Sequence, residues 1–181
     1  MTGKEFLRAL ANGQADIVQI LLDVIAETAS PYCIIGGLAV NAFVEPVVSL
    51  DVDIVITLKD LGATVRAAER RGLKVDQFEH SVNIGSPQSD LRIQLQTDPR
   101  YQEFIPRAEA RTVLGYRMEV ASLEDVLQGK VWAYTDQTRR RSKRQKDLAD
   151  ILRIIEIYPH LKEKLPPSLQ EELDKEQPAN K

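Results

Sequence analysis

The chain has 181 residues, which suits one domain or one domain with a small appendage, and 43% of them are hydrophobic, enough for a substantial core. Its formal net charge of −3 excludes a global attraction to nucleic acid, so any such binding needs a local basic patch. No apolar stretch approaches membrane-spanning length. The single cysteine, Cys33, excludes an internal disulfide, and its apolar surroundings predict a buried thiol in a reducing cytoplasm.

The first third of the chain alternates helices and strands. Apolar residues at three- and four-residue spacing predict a helix over 14–29, which Ser30-Pro31 ends because the residue before proline avoids helical angles. The elements predicted after it are a strand over Tyr32–Ile35, a helix over 38–43 and a central strand over 47–57.

The middle of the chain contains most of the turn residues. Gly85-Ser86-Pro87 joins two predicted strands, and Gly115 turns a predicted hairpin. The elements predicted here are a helix over 59–71, strands over 73–75, 78–84 and 91–96, a short helix over 101–110 and the hairpin over 111–120.

The last third is helical. Ser122 predicts the N-cap of a helix that runs to 134, a long helix follows over 142–158, and a short one over 168–173 precedes a disordered end. We therefore predict an α/β fold with a small mixed sheet flanked by helices. Its parts are an α/β core over 1–120, a helical part packed on it over 121–160, and a short helix with a flexible tail over 161–181.

Two short stretches carry the chemistry. Gly36-Gly37 lets backbone approach a ligand closely, and the helix that follows offers unpaired N–H groups to a phosphate. Asp51 and Asp53 share one strand face, where they repel unless a cation lies between them, and magnesium is the usual oxygen-liganded ion. The pattern indicates a metal-bound nucleoside triphosphate; the alternative is two acids at a surface strand end.

These stretches resemble the nucleotidyltransferase superfamily, the fold of DNA polymerase beta and the aminoglycoside nucleotidyltransferases. Gly36-Gly37 at a helix start and the strand Asp51-Val52-Asp53 match its signature. The segment from Ile34 to Val40 is most similar to the minimal bacterial branch that contains abortive-infection type IV toxins. The resemblance implies magnesium-dependent transfer of a nucleoside monophosphate from a triphosphate to RNA, protein or a small molecule, with Asp51 and Asp53 as catalytic metal ligands.

The third catalytic position departs from the superfamily pattern. Members of the family usually add a third acid from an adjacent strand, and the strand pattern places Gln94 there. Glutamine can ligate a cation through its carbonyl oxygen, but it cannot act as a base. Asp90 lies on the same strand face, about 13 Å earlier along an extended strand, and would substitute only with a shifted register.

Two lysines and a basic run complete the predicted site. The resemblance implies that Lys130 and Lys146 contact the triphosphate; the alternative for Lys130 is an exposed lysine on a helix surface. Residues 139–146, called here the basic run, contain six cations in eight residues. They indicate phosphate contacts to the triphosphate or to an RNA acceptor; the alternative is an exposed flexible loop.

Two other functions compete with this interpretation. The first is a nucleotide- or partner-binding regulatory protein that kept the fold and lost catalysis, for example as half of a toxin–antitoxin pair, and Gln94 supports it. The second is antibiotic modification, which needs an acidic pocket for a cationic aminoglycoside. The basic run argues against that one.

Overall fold

The computed structural model describes residues 3–79 and 81–176. The chain divides into two compact units, Met1–Gly129 and Lys130–Lys181. The predicted disordered end begins after residue 173; residues 174–176 belong instead to the last helix, and residues 177–181 lie outside the described residues.

The first unit contains all seven strands of one sheet. They are β1 (Tyr32–Ile35), β2 (Asp51–Ile56), β3 (Lys74–Gln77), β4 (Ser81–Ser86), β5 (Ser89–Gln96), β6 (Glu109–Val113) and β7 (Tyr116–Val120). Its helices are α1 (Gly3–Leu10), α2 (Ile17–Glu27), α3 (Gly36–Val40), α4 (Leu58–Arg70) and the start of α5 (Leu123–Thr135). The sequence pattern predicted every one of these helices except α1.

The sheet is mixed, as predicted, with the strand order β3-β4-β5-β2-β1-β7-β6. The pairs β2–β5 and β1–β7 are parallel, and the other four pairs are antiparallel. In β5, Leu91, Ile93 and Leu95 are buried, whereas the residues between them are partly or fully exposed. Helices α2 and α4 pack against each other and contact β5 and β3, so one sheet face belongs to the core.

The connection between β1 and α3 brings the two predicted motifs into contact. The antiparallel register of β1 and β2 places Ile35 opposite Asp53, so Gly36 follows directly beside that aspartate. Gly36 has φ +68°, and a Cβ built on it would lie 2.2 Å from Oδ2 of Asp53. Only glycine fits this position without displacing the carboxylate, because any other residue adds both a left-handed strain and a clash.

The central strand is shorter than predicted. Residues 47–49 are irregular, since the backbone of Val47 bonds to a side chain, whereas Leu50 O accepts a bond from Arg92 N of β5 at 2.8 Å. Asn41 Nδ2 donates to Val47 O at 2.7 Å, and Val47 N donates to Asn41 Oδ1 at 2.9 Å. The predicted helix over 38–43 starts earlier, at Gly36, and ends at Val40.

A 3₁₀ segment, Pro99–Arg107, replaces the α-helix predicted over 101–110. Pro99 starts it and Pro106 lies inside it, where a proline has no N–H to donate to a regular helical ladder. The hairpin β6–β7 turns at Leu114 and Gly115, both with positive φ, which confirms the predicted turn at Gly115.

The second unit is helical. It contains the end of α5, the long helix α6 (Arg141–Ile157), a 3₁₀ segment at Pro159–Lys164 and α7 (Pro167–Glu176). Buried leucines recur along its last part, at Leu161, Leu165, Leu169 and Leu173. None of the helices in residues 3–79 and 81–176 combines the length and the apolar character needed to cross a membrane.

Replacing Gly36 with alanine is expected to destabilise the first unit more than the same change at Gly72. Gly72 also has positive φ, +81°, but nothing lies within 4 Å of a Cβ there. Gly72→Ala should cost about 1–2 kcal/mol from left-handed strain alone, and Gly36→Ala should add the clash with Asp53. Urea unfolding of both variants measures the difference. Equal losses would mean that the Asp53 carboxylate moves aside freely.

Candidate functional site

Asp51 and Asp53 lie on the same face of β2, and both are partly exposed. Val52 and Ile54, on the opposite face, are buried at 1% exposure each. The Cα atoms of the two aspartates are about 6.6 Å apart along the strand, a spacing from which both carboxylates can reach one ion. The fold therefore presents the predicted pair of oxygen donors on a central, well-anchored strand.

Gln94 lies directly opposite Asp53. The parallel register of β2 and β5 pairs Asp53 with Gln94 and Asp51 with Arg92. Asp90, the other residue considered for the third position, is exposed and precedes Arg92, so it lies beyond the end of the carboxylate pair. The group beside Asp53 is thus a neutral amide, which offers one oxygen ligand and accepts no proton at ordinary pH.

A row of polar side chains extends from this pair across the sheet. Asn83 on β4 is opposite Gln94, and Asp76 on β3 is opposite Asn83; both are exposed. Together with Asp53 they span four strands, a distance of about 14 Å at normal strand spacing. This face can contact a ligand much larger than a metal ion.

Arg92 contacts the carboxylate pair, a contact that the sequence analysis missed. Its Nη2 lies 2.9 Å from Oδ1 of Asp51, with the arginine side chain 73% exposed and the aspartate side chain 30% exposed. An ion pair that is this exposed is screened by solvent and contributes about 0–1 kcal/mol. The alternating pattern of β5 placed Arg92 on the polar face, but only the parallel register with β2 pairs it with Asp51.

Magnesium fits this site by its donor chemistry. Carboxylate and amide oxygens are the ligands that this ion prefers, and the Asp53 carboxylate occupies the space that a Cβ of residue 36 would fill. In the part of the chain that the structure describes, no three His, Cys, Asp or Glu side chains gather as a metal cluster. Asp51, Asp53 and the amide oxygen of Gln94 would be the protein's ligands.

Gly36 and Gly37 begin α3 beside this pair. Ile35 precedes the helix at the N-cap and offers no side-chain acceptor to its first N–H groups. The helix has five residues, so its dipole is short. The predicted role of the two glycines in holding phosphates stays a prediction.

Lys130 is buried in the second unit and is not the exposed lysine of the alternative interpretation. Its side chain is 8% exposed, and Nζ lies 3.0 Å from Asp147 Oδ1 and 2.6 Å from Asp150 Oδ2. Burial lowers the pKa of Lys130, but the attraction of Asp150 and Asp147 outweighs it, so the pKa is raised and the ammonium stays charged. Its predicted contact with a triphosphate is not tested by this geometry.

Two arginines complete the cluster around those aspartates. Arg139 Nε lies 2.8 Å from Asp147 Oδ2, and Arg153 Nη1 lies 2.7 Å from Asp150 Oδ1. Each buried carboxylate therefore meets two cations. This arrangement compensates the cost of burying charge and ties the end of α5 to α6.

The basic run is only partly the exposed loop of the alternative interpretation. Arg139 bonds to Asp147, and Arg144 Nε donates to Tyr134 O at 2.6 Å. Arg140, Arg141 and Lys146 are exposed. Because α6 begins at Arg141, these cations face the positive end of the helix dipole, an unfavourable placement that an anion would relieve.

Comparisons with known proteins find similar structures but no similar sequences. No protein-family model matches the chain, and no curated protein sequence matches it significantly. Among solved structures it is similar to ANT(2'')-Ia in complex with adenylyl-2''-tobramycin, with TM-score 0.59, 15% identity, 77% of this chain covered and 86% of that one. It is also similar to the lincosamide antibiotic adenylyltransferase LnuA, lincomycin-bound, with TM-score 0.54, 11% identity, 78% of this chain covered and 98% of that one.

A nucleotidyltransferase-like protein from Paracoccidioides brasiliensis is also similar, with TM-score 0.50, 20% identity, 83% of this chain covered and 76% of that one. Identities this low establish a shared architecture and leave substrates open. The mixed seven-stranded sheet flanked by helices agrees with them. The chain has the nucleotidyltransferase fold.

Proposed function

We propose that this protein is a magnesium-dependent nucleotidyltransferase, which moves a nucleoside monophosphate from a nucleoside triphosphate to an acceptor. The observation that carries this proposal is the joint register of β1, β2 and β5. It gathers Gly36, Asp51, Asp53 and Gln94 on one partly exposed sheet face, in a fold that adenylyltransferases share.

In this proposal Asp51 and Asp53 would hold magnesium and, through it, the triphosphate. The ion would supply positive charge where negative charge builds up as the acceptor oxygen attacks the α-phosphorus, the bond to the β-phosphate breaks and pyrophosphate leaves. The two carboxylates fix that position because buried neighbours anchor β2 on both sides of Asp53. Gly36 and Gly37 would let the phosphates approach the backbone, and Lys130 and Lys146 remain predicted nucleotide contacts from the resemblance alone.

Gln94 leaves this site without a base at the third position. The acceptor hydroxyl must lose a proton as its bond to phosphorus forms, and a carboxylate opposite Asp53 would take it. An amide cannot, so the proton goes to water. We therefore expect slow transfer.

We propose RNA as the acceptor, ahead of protein or a small molecule, and a toxin-type role for the enzyme. The exposed cations Arg140, Arg141 and Lys146 support an RNA acceptor, because they offer phosphate contacts that no carboxylate in the described structure neutralises within ion-pair distance. We place the protein in the cytoplasm. Cys33, fully buried with its pKa raised by burial to about 12, is a protected thiol that suits a reducing compartment.

The second candidate function is regulatory: a nucleotide- or partner-binding protein of the same fold that no longer transfers. The neutral Gln94 opposite Asp53 favours it, because the position that would carry a base carries none. Metal-dependent nucleotide binding is common to both functions, and only transfer distinguishes them.

Replacing Asp51 and Asp53 together with asparagine is expected to abolish magnesium-dependent nucleotide binding without unfolding the protein. The change removes both charges and keeps the shape of the side chains. Calorimetry with each of the four nucleoside triphosphates measures the affinity, and circular dichroism checks the fold. The matched control is Asp23→Asn with Glu69→Gln, two exposed acids on the helices α2 and α4. Equal affinity in the Asp51, Asp53 variant and wild type would remove the proposal.

Gln94→Asp is expected to raise the transfer rate by about tenfold or more, since a positioned general base typically contributes about 10²–10⁴. Incorporation of labelled nucleotide into RNA measures it. Asn83→Asp is the control, because it adds a carboxylate to the adjacent strand in the same polar row. A silent wild type with an active Gln94→Asp protein would favour the regulatory function, and two silent proteins that still bind nucleotide would end the transferase proposal.

Arg140→Ala with Arg141→Ala is expected to weaken RNA binding and to flatten its salt dependence. Losing two phosphate contacts lowers the slope of log K against log salt by about 1.4 for a single strand. Filter binding of labelled RNA across a salt series measures the slope. The control pair Arg70→Ala with Arg71→Ala removes adjacent cations at the C-terminal end of α4 that face Glu27. An unchanged slope in the α6 variant would assign these arginines to a solvated helix end.

A further inference from the structure

Arg92 forms a direct ion pair with Asp51, and it comes from the strand that carries the third position. It contacts Asp51 at 2.9 Å, two residues before Gln94. The guanidinium is 73% exposed, so it keeps most of its hydration while it touches Asp51. Such a contact forms and breaks at little cost, because water replaces the partner lost.

The charges of these four side chains sum to −1. Asp51 and Asp53 contribute −2, Arg92 contributes +1 and Gln94 is neutral. A divalent cation alone meets weak attraction there, since the arginine competes for one of its two carboxylate ligands. A magnesium–triphosphate complex is different, because it brings anionic oxygens that the displaced guanidinium can bind.

We propose that Arg92 is a phosphate-binding residue that exchanges Asp51 for the triphosphate when the metal–nucleotide complex arrives. This inference rests on the proposed nucleotide site and adds a ligand to it. Arginine suits the role, because its planar fork binds phosphate with two parallel hydrogen bonds and never loses its charge. The site then takes the metal together with the nucleotide, and poorly without it.

The exchange makes two predictions of opposite sign for Arg92→Gln. Binding of the metal alone should strengthen, by about two- to fivefold, because an exposed ion pair no longer competes for Asp51. Binding of magnesium–triphosphate should weaken, by about tenfold or more, because a charge-assisted bond to phosphate is lost. Arg92→Lys keeps the charge without the fork and should fall between wild type and Arg92→Gln in nucleotide affinity.

Two titrations test this on the full chain. Free Mn²⁺ measured by electron paramagnetic resonance gives the affinity for metal alone, and calorimetry with each nucleoside triphosphate and Mg²⁺ gives the affinity for the complex. Arg71→Gln is the matched control, because it removes another exposed arginine–carboxylate pair, to Glu27 at 2.7 Å, outside the site. Thermal unfolding confirms that the variants fold; Arg92 is exposed, so its loss opens no core.

The expected result is that Arg92→Gln binds Mn²⁺ more tightly and magnesium–triphosphate more weakly than wild type, whereas Arg71→Gln binds both as wild type does. If wild type binds nucleotide and Arg92→Gln binds it equally well or better, Arg92 is not a phosphate ligand and the nucleotide site survives without it. If Arg92→Gln weakens the binding of both Mn²⁺ and magnesium–triphosphate, the arginine only positions Asp51 and the proposed exchange is wrong. If wild type binds no nucleoside triphosphate, the proposed function fails and this inference fails with it.

Discussion

The contact between the backbone of Gly36 and the carboxylate of Asp53 is the constraint on which the rest of the site depends. It exists because β1 and β2 pair in a register that places Ile35 opposite Asp53, and because residue 36 has no Cβ, which would lie 2.2 Å from Oδ2 of Asp53. A one-residue slip would send Asp53 to the buried face. The buried neighbours Val52 and Ile54 oppose that slip, so core packing and site geometry specify the same register.

The two units treat charge in opposite ways. In the first unit, Asp51 meets one exposed arginine in a contact that solvent weakens. In the second, Lys130 and two aspartates are buried together, and breaking such a group by removing one partner typically costs about 3–5 kcal/mol. The first arrangement suits ligand exchange and the second suits a fixed structure. The partly exposed carboxylate pair is therefore the better candidate for a ligand-binding site.

The fold leaves the acceptor open. Structures with this architecture include one bound to adenylyl-2''-tobramycin and another bound to lincomycin, at identities of 15% and 11%. At that distance the likeness shows a shared architecture alone, and architecture does not fix the acceptor. In this chain the surfaces to test for acceptor binding are the polar row that runs from Asp53 to Asp76 and the exposed cations at the start of α6.

Local pattern by itself determined the order of the strands and of the helices after α1, the shared face of Asp51 and Asp53 and the hairpin turn at Gly115. It also placed Gln94 on the polar side of its strand, because alternation and turn chemistry act over a few residues. Only the tertiary structure decided which residues meet. The parallel pairing of β2 and β5 set Gln94 beside Asp53 and Arg92 beside Asp51, across some forty residues of chain. The burial of Lys130 between Asp147 and Asp150, and the clamp of Asn41 on Val47 that shortens the central strand, likewise depend on contacts between segments that no local period encodes.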